Sequence, residues 1–203
     1  MGWFDYDATS DARPLQETRL SRCIQNLLHT REKKICKVDK KTSPTLVLGR
    51  MKEFDYNIDY KNIMFTPNDT RYRIGRGEQG VLLVRPYTDD ICKHWRFKTP
   101  EEAVVSSIKI LHMYHTYKSE EDFVGMDMCR KFLEMGFTRA RRYANHKDGN
   151  KYNSDGTVKP QEPDALTSKK AQSAKIFRYY RNTLTKDPVY ITMRKTWRNN
   201  EKY

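Results

Sequence analysis

Three short basic segments carry the residue types that bind phosphate. In the first, Arg139, Arg142 and His146 recur at helical spacing, with Arg141 and Lys147 beside them. Guanidinium groups bind phosphate oxygens through planar, bidentate hydrogen bonds, and a stripe of them can follow a nucleic-acid backbone. The alternative is that these arginines form ion pairs with glutamates inside the fold.

The second segment, residues 94–98 (HWRFK), alternates aromatic and basic side chains. A protein can stack an aromatic ring on a base while a nearby cation neutralises the phosphate, so Arg96 and Lys98 are candidate contacts. On a strand, however, Trp95 and Phe97 would share one face and the cations the other. That arrangement fits an ordinary half-buried strand equally well.

The third segment is the glycine-rich loop 75–80 (GRGEQG), with Arg73 just before it and Arg76 within it. Its glycines fit G-x-G-x-x-G, but a dinucleotide site needs a following helix to receive the pyrophosphate. Here Val and Leu residues typical of a strand follow, and no protein-kinase motif is present elsewhere. The loop is therefore either a turn at which Arg76 and backbone amides approach a phosphate, or an ordinary hairpin turn.

Four residues could instead support acid–base chemistry on a phosphate-bearing substrate. These are Glu78, His94, Asp127 and His146, provided that the fold brings them around one pocket. Asp127 lies among apolar neighbours, which fits either a buried carboxylate with a shifted pKa or an ordinary ion pair. We expect no metal site and no cofactor, because no set of ligands shows a recognisable spacing.

The positive charge of the chain is concentrated towards its carboxyl end. The 203 residues carry a net charge of +13, yet residues 51–138 hold 13 basic and 14 acidic residues, against 16 and 6 in residues 139–203. Such segregated charge attracts an anionic partner to one surface. We therefore predict a protein that binds RNA or DNA. The alternatives are an enzyme acting on a phosphate-bearing substrate and a structural or assembly component of a ribonucleoprotein or virion.

Nothing in the sequence predicts a membrane span or secretion. There is no run of about 18 apolar residues, and the first residues, MGWFDYD, are acidic where a signal peptide is basic. The four cysteines form no C-x-x-C pair, which fits free thiols in a reducing compartment. We expect a soluble, intracellular protein.

The segments that position these residues are predicted to form one domain with an extension before it. Residues 1–50 are predicted as an amino-terminal extension, with an amphipathic helix over 14–30 and a basic linker after it. Residues 51–203 are predicted as a single α+β domain with a polar loop at 148–165. Alternation over 54–60 and the apolar runs beside the glycine loop, 71–74 and 81–84, predict a small, mainly antiparallel sheet.

This sheet is expected to pack against at least three helices. The clearest helix start is Thr99-Pro100-Glu101-Glu102, which combines a capping hydroxyl, a proline at the first position and a glutamate three residues after the cap. Gly136 is expected to end the next helix. The last two helices are basic. The predicted helices span about residues 100–118, 120–136, 139–146, 168–184 and 188–198.

Three longer motifs carry a resemblance to a known family. They are YRIGRGEQGVL from Tyr72, HWRFKTP from His94 and DFVGMDMCRKFLEMGFTRARRYANHK from Asp122. Together they resemble an uncharacterised domain-of-unknown-function family found in bacteria, eukaryotes and viruses, from about Phe54 to the last helix. The resemblance implies no activity, cofactor or site residue, and residues 1–50 lie outside it.

Overall fold

The computed structural model describes residues 54 and 56–201, and this part of the chain is helical, with no strand. Its helices are α1 (Tyr87–Cys92), α2 (Pro100–Ser119), α3 (Phe123–Asn145), α4 (Lys169–Thr185) and α5 (Pro188–Asn200). The prediction of an α+β fold with a small antiparallel sheet was therefore wrong. The predicted amino-terminal extension over 1–50 lies outside the described residues. None of the helices described combines the length and apolar character needed to cross a bilayer.

Residues 71–74, one predicted strand of the hairpin, form no strand, and α5 takes the place of a partner strand. The carbonyl of Tyr72 accepts a hydrogen bond from Nε1 of Trp197 at 3.2 Å, and the carbonyl of Ile74 accepts one from Arg198 at 2.6 Å. The amide of Ile74 donates to the carboxylate of Glu201 at 2.6 Å. These side chains satisfy the backbone groups that a neighbouring strand would satisfy in a sheet.

Residues 81–84, the other predicted strand of the hairpin, form consecutive turns. The amides of Val81 and Leu83 each donate to the carbonyl three residues earlier. Val81 and Val84 are buried, while the side chain of Leu82 is 51% exposed. Burial at a spacing of three is typical of helical turns rather than of a strand, and four consecutive apolar residues do not reveal the period beforehand.

Three helices begin within one residue of their predicted starts. At the start of α2, the hydroxyl of Thr99 accepts from the amide of Glu102 and the carboxylate of Glu102 accepts from the amide of Thr99. This reciprocal pair satisfies two amides that have no partner inside the helix. Helices α4 and α5 begin directly after Ser168 and Asp187, whose side chains cap them.

Helix α3 is continuous over 23 residues, where the sequence predicted two helices. Gly136 does not end it, because this glycine serves close packing instead: a Cβ atom there would lie 2.4 Å from the ring of Phe177 in α4. The start also differs from the prediction, since Asp122 caps the helix by accepting from the amides of Val124 and Gly125.

Helix α3 is the centre of the described fold, and its two ends differ in burial. It packs against α1, α2, α4 and α5. Every residue from Phe123 to Leu133 is buried, whereas Arg142 and Tyr143 near the other end are exposed. Both ends carry residues that the sequence marked as candidates for function.

Candidate nucleic-acid interface

At its first end, α3 carries a buried charge cluster centred on Asp127, which is 0% exposed. Four side chains donate hydrogen bonds to its carboxylate: Tyr72 and Tyr190 at 2.5 Å, Arg130 at 2.7 Å and Arg194 at 3.2 Å. Burial alone would raise the pKa of Asp127, but the neighbouring cations hold it well below its usual value. The carboxylate is therefore ionised and fully paired.

Lys131 completes the buried charge cluster. Its ammonium group lies 4.0 Å from a carboxylate oxygen of Asp127 and over the rings of Tyr72 and Phe54, at 4.8 and 5.3 Å from the ring centroids. No described atom forms a hydrogen bond with it. Burial lowers the pKa of Lys131 to about 7. Because Asp127 and Lys131 are both enclosed, neither group presents a surface to a ligand.

The four residues considered for acid–base chemistry do not gather around one pocket. His146 lies nineteen residues after Asp127, which places it about 28 Å further along the helix axis. The carboxylate of Glu78 accepts a hydrogen bond from the hydroxyl of Thr138. Two cavities lined by His146 include none of the other three residues. Among the described residues, no group of three His, Cys, Asp or Glu side chains could hold a metal ion.

At its second end, α3 is joined by the loop that follows it. Arg141 donates to the carbonyl of Ala165 at 2.8 Å, and the amide of Glu162 donates to the carbonyl of Asn145 at 2.9 Å. The carboxylate of Glu162 in turn accepts from the amide of Lys147 at 3.2 Å. The loop that the sequence marked as polar is thus fastened to the last turn of α3.

Within this loop, residues 151–159 form a small hairpin. Tyr152 and Val158 make an isolated antiparallel bridge, and Gly156 turns the chain with a φ of +81°. Lys159 ties the hairpin to the end of α3 through an ion pair with Asp148 at 2.5 Å. The hydrogen bond from Lys159 lowers the pKa of Asp148 to about 2. The hairpin therefore lies next to His146.

A pocket of about 610 Å³ lies between the last turns of α3 and this hairpin. We call it the α3-end pocket. One wall is closed by Gly149, whose φ of +74° suits glycine, and where a Cβ atom would lie 2.8 Å from the ring of Tyr143. The pocket is lined by Phe137, Thr138, Arg141, Arg142, Asn145, His146, Gly149, Asn150, Lys151 and Tyr152.

The five predicted residues of the arginine stripe have different surroundings. Arg142 and Lys147 are exposed and form no ion pair with any residue between 56 and 201. Arg141 is engaged inside the protein, with Ala165 and Asn145, and His146 is buried. Arg139 lies about 160° around the helix from Arg141, because each residue turns an α-helix by about 100°.

The other four predicted residues lie apart from the stripe or at its edge. Arg96 donates to the backbone carbonyls of residues 92 and 95, and Arg73 to those of residues 70 and 72, so both guanidinium groups are used locally. Arg76 is exposed on the glycine loop, whose Gly77 carbonyl accepts from Arg130 near the buried end of α3. Lys98 is exposed and follows Phe97, whose ring lies 6.0 Å from that of Tyr143. Contact of any of these residues with nucleic acid stays a prediction.

Three residues of the exposed end, Tyr143, Lys151 and Tyr152, were not singled out from the sequence. Tyr152 is 55% exposed, and the ammonium group of Lys151 lies 5.2 Å from the centroid of its ring. The signal was an aromatic residue next to a cation inside an otherwise polar loop. We use the term α3-end surface for Arg142, Tyr143, Lys147, Lys151 and Tyr152, which are all exposed.

Comparison with known proteins identifies a family but no relative of known activity. A family model described as "Domain of unknown function (DUF4385)" matches residues 55–200. No curated protein and no solved structure matches the chain.

Proposed function

The chain belongs to the DUF4385 family, and we propose that it binds a nucleic-acid strand through the α3-end surface. The proposal begins from charge, because residues 139–203 carry 16 basic and only 6 acidic residues. Several of these cations are used within the fold. Arg181, Arg194 and Arg198 pair with Glu134, Asp127 and Glu201 respectively.

The observation that carries the proposal is the pairing of unused cations with exposed aromatic rings. Arg142, Lys147 and Lys151 are exposed and lack acidic partners in the described part of the chain. Tyr143 and Tyr152 lie among them and are 41% and 55% exposed. Cations that neutralise phosphates beside rings that stack on bases are the usual components of a single-strand binding surface.

A simpler explanation accounts for only part of this surface. Cations near the carboxyl end of a helix interact favourably with the helix dipole, and Arg142 lies in the last turn of α3. Lys147 and Lys151 lie beyond the end of the helix, on the loop that Glu162 and Lys159 hold in place. Helix stabilisation therefore gives no reason for these two lysines or for the exposed tyrosines.

The test is the salt dependence of binding to short oligonucleotides. Fluorescence anisotropy measures the affinity for single-stranded RNA, single-stranded DNA and duplex DNA between about 50 and 300 mM salt. In this range phosphate contacts dominate the slope of log affinity against log salt. The variant Arg142→Ala/Lys147→Ala/Lys151→Ala should bind all sequences more weakly. Its slope of log affinity against log salt should be shallower by about 2 units, since each single-strand phosphate contact contributes about 0.7.

A matched control removes the same charge elsewhere. Lys61, Lys109 and Lys186 are exposed and form no ion pair within residues 56–201, so changing these three to Ala lowers the net charge equally. We expect the control variant to keep the wild-type slope. An equal loss in both variants would mean that only net charge matters, and the absence of oligonucleotide binding by the wild type would refute the proposal.

A further inference from the structure

One buried polar atom in the wall of the α3-end pocket has no partner. His146, where α3 ends, is 7% exposed, and its Nδ1 atom is buried without a hydrogen bond to any described residue. Leaving a buried imidazole nitrogen in this state costs free energy. Such atoms are rare in folded proteins, and one that belongs to a residue lining a pocket can gain its missing partner from a bound group.

Asn145 offers two hydrogen-bond donors to the same pocket. Its side-chain oxygen accepts from Nη2 of Arg141 at 2.5 Å, which fixes the orientation of the amide group. The amide nitrogen Nδ2 carries two donors, and no acceptor within residues 56–201 bonds to it. Arg141 is held in turn by the carbonyl of Ala165. The donors of Asn145 are therefore held in a set position before any ligand arrives.

Two aromatic rings, those of Phe137 and Tyr152, line the pocket with these polar groups. Its volume of about 610 Å³ is in the usual range for sites that bind small organic molecules. Arg142 and Lys151, which also line it, are cations suited to an attached phosphate. A ligand that matches these groups has a flat ring, hydrogen-bonding atoms on the edge of the ring and a phosphate nearby. A nucleotide has all three.

From these contacts we propose that the α3-end pocket receives one nucleobase of a single strand bound to the α3-end surface. The inference rests on the proposed function and narrows it to single-stranded RNA or DNA. In a duplex the bases are stacked and paired, whereas an unstacked base can lie against an aromatic ring and present its edge to side chains. Tyr152 stacks on the base, and Asn145 and His146 bond to its edge.

The experiment compares two ligands and two tyrosines. The ligands are a single-stranded oligonucleotide and inorganic polyphosphate, a polyanion without bases. Tyr152→Ala removes the proposed stacking ring, and Tyr179→Ala is the matched control, because Tyr179 is 52% exposed against 55% for Tyr152 and does not line the pocket. Tyr152→Ala should weaken oligonucleotide binding about 5- to 150-fold, the loss typical of one stacking ring, and leave polyphosphate binding unchanged. Tyr179→Ala should change neither.

A second variant tests the edge contact without disturbing the shape of the pocket. Asn145→Asp keeps the oxygen that Arg141 contacts but replaces the two N–H donors with an acceptor. Competition by the four mononucleotides, with ribose 5-phosphate as the base-free probe, should show a ranking of bases in the wild type. That ranking should be altered in Asn145→Asp, while ribose 5-phosphate competes equally in both proteins.

The outcomes separate this inference from the proposal on which it rests. If the wild type binds neither oligonucleotide nor polyphosphate, the proposed function itself fails. If it binds both, but Tyr152→Ala weakens both equally or neither, the nucleobase pocket is refuted while the basic surface stands. An unchanged base ranking in Asn145→Asp would likewise overturn the assigned edge contact.

Discussion

The two ends of α3 carry similar side chains in opposite surroundings. At the first end, Arg130 and Lys131 lie with Asp127 in the buried charge cluster. At the second end, Arg142 is exposed and has no acidic partner among the described residues. Lys147, just beyond the end of the helix, is also exposed and also lacks an acidic partner there. Charge and aromatic content alone do not distinguish these ends, since each also has two tyrosines close by.

This difference indicates which cations are free to meet a partner. A buried cation paired with a carboxylate has already exchanged its water for protein contacts, and separating the pair leaves an uncompensated charge. An exposed, unpaired cation has lost little hydration and can exchange counterions for phosphates. We therefore expect mutations at the first end to change stability and mutations at the second end to change binding.

The largest effect is expected from a matched pair of arginines on α3. Arg130→Ala removes a donor 2.7 Å from the buried carboxylate of Asp127 and should lower the free energy of unfolding by about 3 to 5 kcal/mol. Arg142→Ala should leave it unchanged within error, because this side chain is exposed and unpaired in the described structure. Urea denaturation of both variants measures the difference. Equal losses would show that the two ends do not differ in the way proposed.

A smaller effect is expected at Gly136, which lies between the two ends. Gly136→Ala places a Cβ atom 2.4 Å from the ring of Phe177, and the overpacking should cost about 1 to 3 kcal/mol. Adding Phe177→Leu should recover part of this loss by relieving the clash. The slope of oligonucleotide binding against salt should stay at the wild-type value. A changed slope in the folded variant would mean that packing between α3 and α4 also controls the α3-end surface.

A gain in stability is expected from Lys131→Met, which removes the buried ammonium group. Burial lowers the pKa of Lys131 from 10.5 to about 7, so between these values the unfolded chain binds more protons than the folded one. Stability should therefore rise with pH from about 7 to about 10.5, and be independent of this group below about pH 7. Lys131→Met should abolish that rise and stabilise the protein at about pH 7 by about 1 to 2 kcal/mol. Chemical denaturation across this pH range checks both statements, and a destabilised variant with an unaltered pH profile would contradict them.

The smallest effect is expected at Asp148, the exposed counterpart of Asp127. Its ion pair with Lys159 lowers the pKa of Asp148 to about 2 from 3.8. The contribution of this ion pair to the stability of the fold is therefore present above pH 3.8 and is lost as the pH falls through about 2. Asp148→Asn should lower the melting temperature only slightly at about pH 6, less at high salt, and not at all below about pH 2. A large loss near neutral pH would show that the hairpin behaves as part of the core.

The helices could be predicted from the sequence where local chemistry alone decides them. Thr99, Ser168 and Asp187 each cap a helix from a position next to its first residue, so a few consecutive residues contain the whole signal. The sheet could not be judged in this way, because an extended segment needs a partner elsewhere in the chain. The backbone groups of Tyr72 and Ile74 form their hydrogen bonds with the side chains of Trp197, Arg198 and Glu201.

The sequence by itself determined the concentration of basic residues after position 138, the starts of α2, α4 and α5, and the family to which the chain belongs. Only the tertiary structure decided which cations are paired and which are exposed. Arg130 and Arg142 are the same residue type on the same helix, and although Asp127 three residues before Arg130 offers an ion pair, no local pattern indicates that this pair is buried. Arg130 is buried because Tyr190 and Arg194 of α5 meet Asp127 at this end of α3, and the burial of a charge depends on contacts between residues far apart in the chain.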